Sequence, residues 1–209
     1  MPNYVSGEGP LNPRLVIVGE APGKLEDEYG RPFVGPTGEL LNELLFKAGI
    51  SRSECYLTNV VKYRPPFNDF EKLHLIGVDL EKSTEELWEN EIRPFNPNCI
   101  LAIGDRALQA ICGVSGILNY RGSILVAKNG RTKCVPTIHP AALFGTDEAT
   151  GNSNPYKKGL EWTWIKLIEA DIRRAGEESA SPILSLPDRT LSIAHNSLQV
   201  HRFFEEYRH

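Results

Sequence analysis

The sequence predicts an α/β domain on a largely parallel sheet. Short apolar, β-branched runs end at glycine. Amphipathic stretches with helical spacing lie between those runs. A chain of 209 residues, 41% hydrophobic and 24% charged, can also bury a core of ordinary size.

The elements follow in order. Leu15-Val16-Ile17-Val18 is continuously apolar and stops at Gly19, the pattern of a strand buried on both faces. A Gly- and Pro-rich loop, GEAPGKLEDEYGRPFVGPTG, comes next. Leu40, Leu41, Leu44 and Leu45 then recur at helical spacing, and Gly49 stops that helix. Cys55 to Val61 (CYLTNVV) is the second strand. In the acidic stretch 83–93, STEE reads as a capping box opening a helix that ends near Pro94. Ile100 to Gly104 is a third buried strand, and Arg106 to Cys112 the helix behind it. Ser123–Ala127 and Lys133–Ile138 flank Asn129-Gly130, a hairpin signal. Tyr156–Arg174 is a long amphipathic helix with Trp162, Ile165 and Ile172 among its apolar positions. Residues 176–189 have linker composition. Thr190–Ala194 and Ser197–Tyr207 then supply a strand and a helix too short to make a core alone. The expected organisation is therefore one domain over 1–175, a linker over 176–189 and a tail, or the start of a further domain, over 190–209.

Composition excludes several classes. No apolar run approaches the roughly 20 residues that cross a bilayer. The start, MPNYVSGEGPLNPR, has no apolar core of a secretory signal. Cys55, Cys99, Cys112 and Cys134 show neither a CxxC pair nor metal-ligand spacing, and read as thiols of a reducing, cytoplasmic compartment. The net charge of -4 argues against an anionic partner only until it is mapped. Residues 69–91 carry eight acidic and two basic side chains, so the remainder is +2 and a basic surface remains available.

Three unusual segments fall at carboxyl ends of strands, where open α/β sheets build their sites. They are Gly19-Glu20-Ala21-Pro22-Gly23, the segment NVVKYRPP from Asn59, and His139-Pro140-Ala141-Ala142-Leu143. The fold would bring all three to one crevice. The first is not a phosphate loop, since GxGxxG and GxxxxGK[ST] are both missing and Pro22 removes an amide. A nucleotide-dependent hydrolase thereby loses its main support.

The strings GEAPGKLEDEYGRPFVGPTGELL, TNVVKYRPPFN, IRPFNPNCILAIGDRAL and TIHPAAL, in this order over about residues 14–174, resemble the uracil-DNA glycosylase superfamily, closest to its family 4 branch. The resemblance implies a three-layer α/β/α fold around a central, mainly parallel four-stranded sheet. It implies a monomeric base-excision-repair hydrolase that flips deoxyuridine out of DNA and cleaves its N-glycosidic bond with water.

The resemblance also assigns roles. His139 is the donor to the uracil anion as it leaves, for which a neutral imidazole N–H suffices. Asn59 reads the base edge, because one fixed side-chain amide matches the donor and acceptor of uracil and mismatches cytosine. Phe33 stacks on the flipped ring. Gly19 and Ala21 line the pocket. Some branches carry Asp where Ala21 stands, which leaves Glu20 and Glu26 as candidates to orient the water. The competing readings are loop-tying for Glu20 and a solvated charge for Glu26. Lys62 and Arg64 suit phosphate contacts, and Leu143 or Phe144 a wedge into the base stack. Surface charge and loop packing are the alternatives for those four.

This sequence departs from family 4 in one respect. The resemblance implies four cysteines for a 4Fe–4S cluster, two before the first strand, one in VVKxRPP and one on the following helix. Here Tyr63 fills the VVKxRPP position and the other three places hold no cysteine. The expectation is no metal and no cofactor, with the extra loop Asp69–Lys82 bracing the region instead. The tail is similar to the entry into the exonuclease region of some phage family A DNA polymerases, which implies a polymerase covalently fused behind this domain. A tail folded back on the domain is the other reading. The functional alternative to an active glycosylase is a catalytically weak module that senses uracil or binds DNA.

Overall fold

The computed structural model describes residues 2–143, 145–146, 153–154 and 161–184. Five strands form the main sheet: β1 (Leu15–Gly19), β2 (Cys55–Asn59), β3 (Cys99–Ile103), β4 (Leu125–Val126) and β5 (Lys133–Thr137). Their order is β2-β1-β3-β5-β4. Four are parallel, as expected. The fifth, β4, pairs antiparallel with β5 (Leu125 with Cys134), so the Asn129-Gly130 turn does close a hairpin and the sheet has one strand more than the resemblance implied.

Every residue of the four parallel strands is buried. Alternation along each strand then divides the side chains between two cores. Leu15, Ile17, Leu57, Leu101 and Val135 face one layer, formed by α2 (Pro36–Lys47) and the long helix α7 (Glu161–Ser179). Val16, Val18, Ile100, Ala102 and Cys134 face the other. That second layer holds α3 (Leu80–Leu87), a π-turn over Trp88–Ile92 that runs into one further α turn, α4 (Arg93–Phe95), and α5 (Asp105–Cys112). A two-turn helix α1 (Lys24–Tyr29) crosses the first loop, and a short α6 (Ile117–Tyr120) leads towards β4.

Several boundaries differ from expectation: β2 ends at Asn59 and β4 spans only Leu125–Val126. Helix α3 starts at Leu80, because Asp79, not Ser83, is its cap and accepts from the Lys82 amide at 2.8 Å. Ser83 Oγ instead donates back to the Asp79 carbonyl at 2.7 Å. Residues 70–76 form a 3₁₀ turn, and Phe70, Leu73, Ile76, Val78 and Leu80 pack on the second core. Helix α7 runs to Ser179, into the expected linker, and Lys133 Nζ donates to the Ile183 carbonyl at 3.2 Å. The expected elements at 190–194 and 197–207 lie outside the described residues.

The chain passes from β1 to β2 on one side and returns to β3 on the other side of β1. The carboxyl ends of β1 and β3 therefore form a topological switch point, the place where open α/β sheets build their sites.

Candidate active site

Gly19 closes β1 and sits in register with Asn59, the last residue of β2. A methyl group on Gly19 would lie 2.4 Å from Asn59 Oδ1 and 2.7 Å from Phe33 Cζ. Glycine is thus required there by close approach. The amide of Asn59 and the tip of the Phe33 ring converge on its Cα.

Phe33 adopts φ 52°, the left-handed region that a bulky residue rarely occupies. Such a conformation costs on the order of 1–3 kcal/mol and persists only where its surroundings over-determine it. Arg52 supplies that constraint. Its Nη1 donates to the Phe33 carbonyl at 3.2 Å, and its Nη2 to the Pro32 carbonyl at 2.9 Å and to Glu8 Oε1 at 2.7 Å. The first turn of α2 closes from the other side, where a methyl on Gly38 would meet the Phe33 carbonyl oxygen at 2.0 Å.

His139 follows β5 by two residues. Its Nδ1 accepts from the Ala141 amide at 3.1 Å, made possible by the 3₁₀ turn Pro140–Leu143. A neutral ring that accepts at Nδ1 carries its proton on Nε2. Burial pushes this imidazole down to about 4, opposed in part by the charge of Glu26, so it is neutral at ordinary pH. The end of β5 is itself anchored. Buried Asp171 of α7 accepts from Thr137 Oγ1 at 2.9 Å and pairs with Arg121.

The two carboxylates differ. Glu20 Oε1 accepts from the Arg106 amide at 3.0 Å and lies against Gly104, whose φ of 93° and lack of a side chain both make room. It caps α5 across the crevice, the loop-tying arrangement weighed above. Burial raises its carboxyl, and the Arg106 amide opposes that. Glu26 Oε1 accepts from the Gly35 amide at 3.3 Å, and it is the carboxylate whose charge reaches His139. Ala21 is half-buried beside the second core.

Two expected DNA contacts need correction. Lys62 is 5% exposed, with its ammonium paired to Glu91 at 2.5 Å, so it cannot hold a surface phosphate. Leu143 is 6% exposed and packed in the first core, because the 3₁₀ turn folds it inward. It cannot wedge into a base stack from there. Phe144 lies outside the described residues. Arg64 is half-buried, with Nε bonded to Asn68 Oδ1 at 2.9 Å, and stands in the Pro-rich loop. That loop ends on Phe67, 83% exposed at φ 58°, with Lys72 over its ring at 4.8 Å. Sequence reasoning missed Arg52, Glu91 and Phe67. Phe67 carried the one available signal, an aromatic between two turn residues.

The cluster that the resemblance implies does not fit these residues. Cys55, Cys99 and Cys134 are buried on strands, and burial pushes the Cys55 and Cys99 thiols up to about 12, away from the thiolate form that binds metal. Among the described residues no three His, Cys, Asp or Glu side chains stand together as metal ligands. In the cluster region Tyr4 meets Tyr63 edge to face, ring centres 5.5 Å apart.

A parallel sheet with its switch point, a glycine on which Asn59 and Phe33 close, and a histidine just past the last strand of the main sheet define a class. The uracil DNA glycosylase superfamily model matches residues 6–162, and the chain belongs to that superfamily. Within it the chain is 56% identical over 150 residues to the Type-4 uracil-DNA glycosylase of Pyrobaculum aerophilum, 68% of this chain and 74% of that protein. It is 41% identical over 146 residues to the Type-4 enzyme of Thermotoga maritima, 68% of this chain and 72% of that one. It is also 30% identical over 144 residues to a DNA polymerase of Bacillus phage SP01, 68% of this chain but 15% of the polymerase. No described helix is long and apolar enough to cross a membrane.

Proposed function

We propose that the chain is a monofunctional uracil-DNA glycosylase that hydrolyses the N-glycosidic bond of a flipped-out deoxyuridine and leaves an abasic site. The convergence of Asn59 Oδ1 and Phe33 on Gly19 carries this reading. A flat base lies against the Phe33 ring while the Asn59 amide accepts from uracil N3–H and donates to O4. Cytosine presents the reverse pattern and leaves polar groups unpaired, at about 1–3 kcal/mol each.

As the bond to the sugar breaks, negative charge grows on the uracil. The Nε2–H of neutral His139, fixed by the Ala141 amide on the opposite nitrogen, donates to O2 without giving up its proton. Glu26, whose charge acts on His139, orients the water that attacks the sugar carbon. Glu20 holds the crevice walls together through Arg106. Arg64 and Phe67 supply backbone and stacking contacts to a strand passing the Pro-rich loop. A monomer acting on uracil-containing DNA suffices for these steps. The phage match supports a covalently attached polymerase as its working partner.

A second reading, a uracil-sensing module with weak catalysis, is favoured by the commitment of Glu20 to a helix cap. One assay separates the two. A uracil-containing oligonucleotide is incubated with the protein in excess EDTA, and abasic sites are cleaved with alkali. Stoichiometric free uracil and strand cleavage support the glycosylase. Tight, uracil-dependent binding with no release supports the sensor.

A further inference from the structure

Strand β2 lies at the open edge of the main sheet. Its outward-facing backbone groups need partners from elsewhere. At Leu57 the N-terminal segment provides them: the Glu8 amide donates to the Leu57 carbonyl at 2.9 Å, and the Leu57 amide to the Glu8 carbonyl at 2.8 Å. Two residues further along the same edge stands the Asn59 carbonyl. No backbone amide reaches it among the described residues. Lys62 Nζ donates to it instead, at 2.9 Å.

The same ammonium donates to Thr58 Oγ1 at 2.5 Å and to Glu91 Oε1 at 2.5 Å, so all three of its protons are placed. Glu91 is buried, and it comes from the π-turn Trp88–Ile92. Such turns are rare and concentrate at functional sites. Its second oxygen, Oε2, is buried with no hydrogen-bond partner. A buried ion pair left partly unsatisfied is a poor source of stability, since apolar residues of similar volume often serve as well or better. What this pair supplies is geometry. Gly19 fixes Asn59 from the β1 side, where the Val60 amide also bonds the Gly19 carbonyl at 2.9 Å. Lys62 fixes it from the outer side.

We propose that Lys62, held by Glu91, is a positioning residue for the uracil-reading amide of Asn59. The proposal rests on the role given to Asn59 above. It recasts Lys62, which is buried away from the surface, as a determinant of base selection through the strand-end backbone.

The test replaces the pair by apolar residues of similar size, Lys62→Met with Glu91→Leu, in the full chain. Three quantities are compared with the parent: thermal midpoint, single-turnover uracil release, and the side-chain amide NMR resonances of Asn59 with and without millimolar free uracil. The expected result is a midpoint within a few degrees of the parent, release slowed at least tenfold, and Asn59 resonances that broaden or double in the uracil-free protein. Should the double variant fail to fold, Lys62→Met with Glu91→Gln, which likewise leaves no buried unpaired charge, carries the same expectation. Parent-like release together with an unchanged, sharp Asn59 signal would overturn the proposal. The uracil-free spectrum needs no catalysis. A parent that neither releases uracil nor shifts its Asn59 signal on adding it would defeat the glycosylase reading alone.

Discussion

Gly19→Ala is the substitution whose effect follows most directly from the geometry of the crevice. The new methyl would stand 2.4 Å from Asn59 Oδ1 and 2.7 Å from Phe33 Cζ, where ordinary contact begins near 3.4 Å. The oxygen must retreat by about 1 Å and the ring tip by about 0.7 Å, and a misplacement of that size costs on the order of 10²-fold in rate. Gly19 has no left-handed φ, so alanine fits the backbone and the damage is confined to the pocket. Overpacking a core position costs roughly 1–3 kcal/mol, which lowers the melting point of a domain this size by about 3–10 °C. Gly30→Ala is the control. It strains a backbone at φ 67° but meets nothing within 4 Å, so it should lose stability by about 1–2 kcal/mol and keep its turnover. The assay is single-turnover release of free uracil from an oligonucleotide, beside a thermal melt. Parent-like turnover by Gly19→Ala would refute the placement of the base against Asn59 and Phe33.

Three other outcomes follow from the same geometry. His139→Ala should slow release by about 10²–10³, the usual loss of one donor to a developing anion, and unchanged single-turnover kinetics would remove His139 from the mechanism. The stability of the fold should also depend on His139. Its folded value of about 4 lies below the ordinary 6.5, so the unfolded chain binds the extra proton first. That stability is present above pH 6.5 and is lost as pH falls towards 4, by up to about 3 kcal/mol. Urea titrations at pH 7 and 4.5 should show a larger drop for the parent than for His139→Gln; equal drops would contradict it. Phe67→Ala should weaken binding to single-stranded DNA by roughly 1–3 kcal/mol, the worth of one stacked base, with an unchanged melting point. Unaltered affinity by fluorescence anisotropy would place the DNA elsewhere.

Strands β1 and β3 were legible because burial on both faces leaves a continuous apolar run, a signal that needs only local sequence, whereas β5, which holds Lys133 and Pro136, was legible through the Asn129-Gly130 hairpin signal. The approach of Phe33 and Asn59 to Gly19 was legible because all three lie in the first two unusual motifs. What escaped depends on distant partners. Lys62 looks like a surface cation until Glu91, 29 residues away, is placed beside it by the π-turn. Leu143 looks exposed in a polar loop until the 3₁₀ turn folds it onto α2 and α7. The start of α3 was misread because STEE matches a capping box, whereas Asp79 lies four residues earlier and caps first. Arg52 carries no motif, since its role is to hold two carbonyls on another loop.

The proposed reading has Asn59 recognise uracil and His139 complete its release. Paired oligonucleotides carrying either uracil or cytosine at one position, given to the parent chain and to Asn59→Asp, test it most directly. The parent should release uracil and leave cytosine intact. The carboxylate of the variant can accept from the exocyclic amine of cytosine but cannot donate to uracil O4, so uracil release should fall and the preference for uracil over cytosine should narrow by roughly 1–3 kcal/mol, about 5- to 150-fold. An Asn59→Asp chain that releases uracil at the parent rate and still excludes cytosine as strictly would contradict the account.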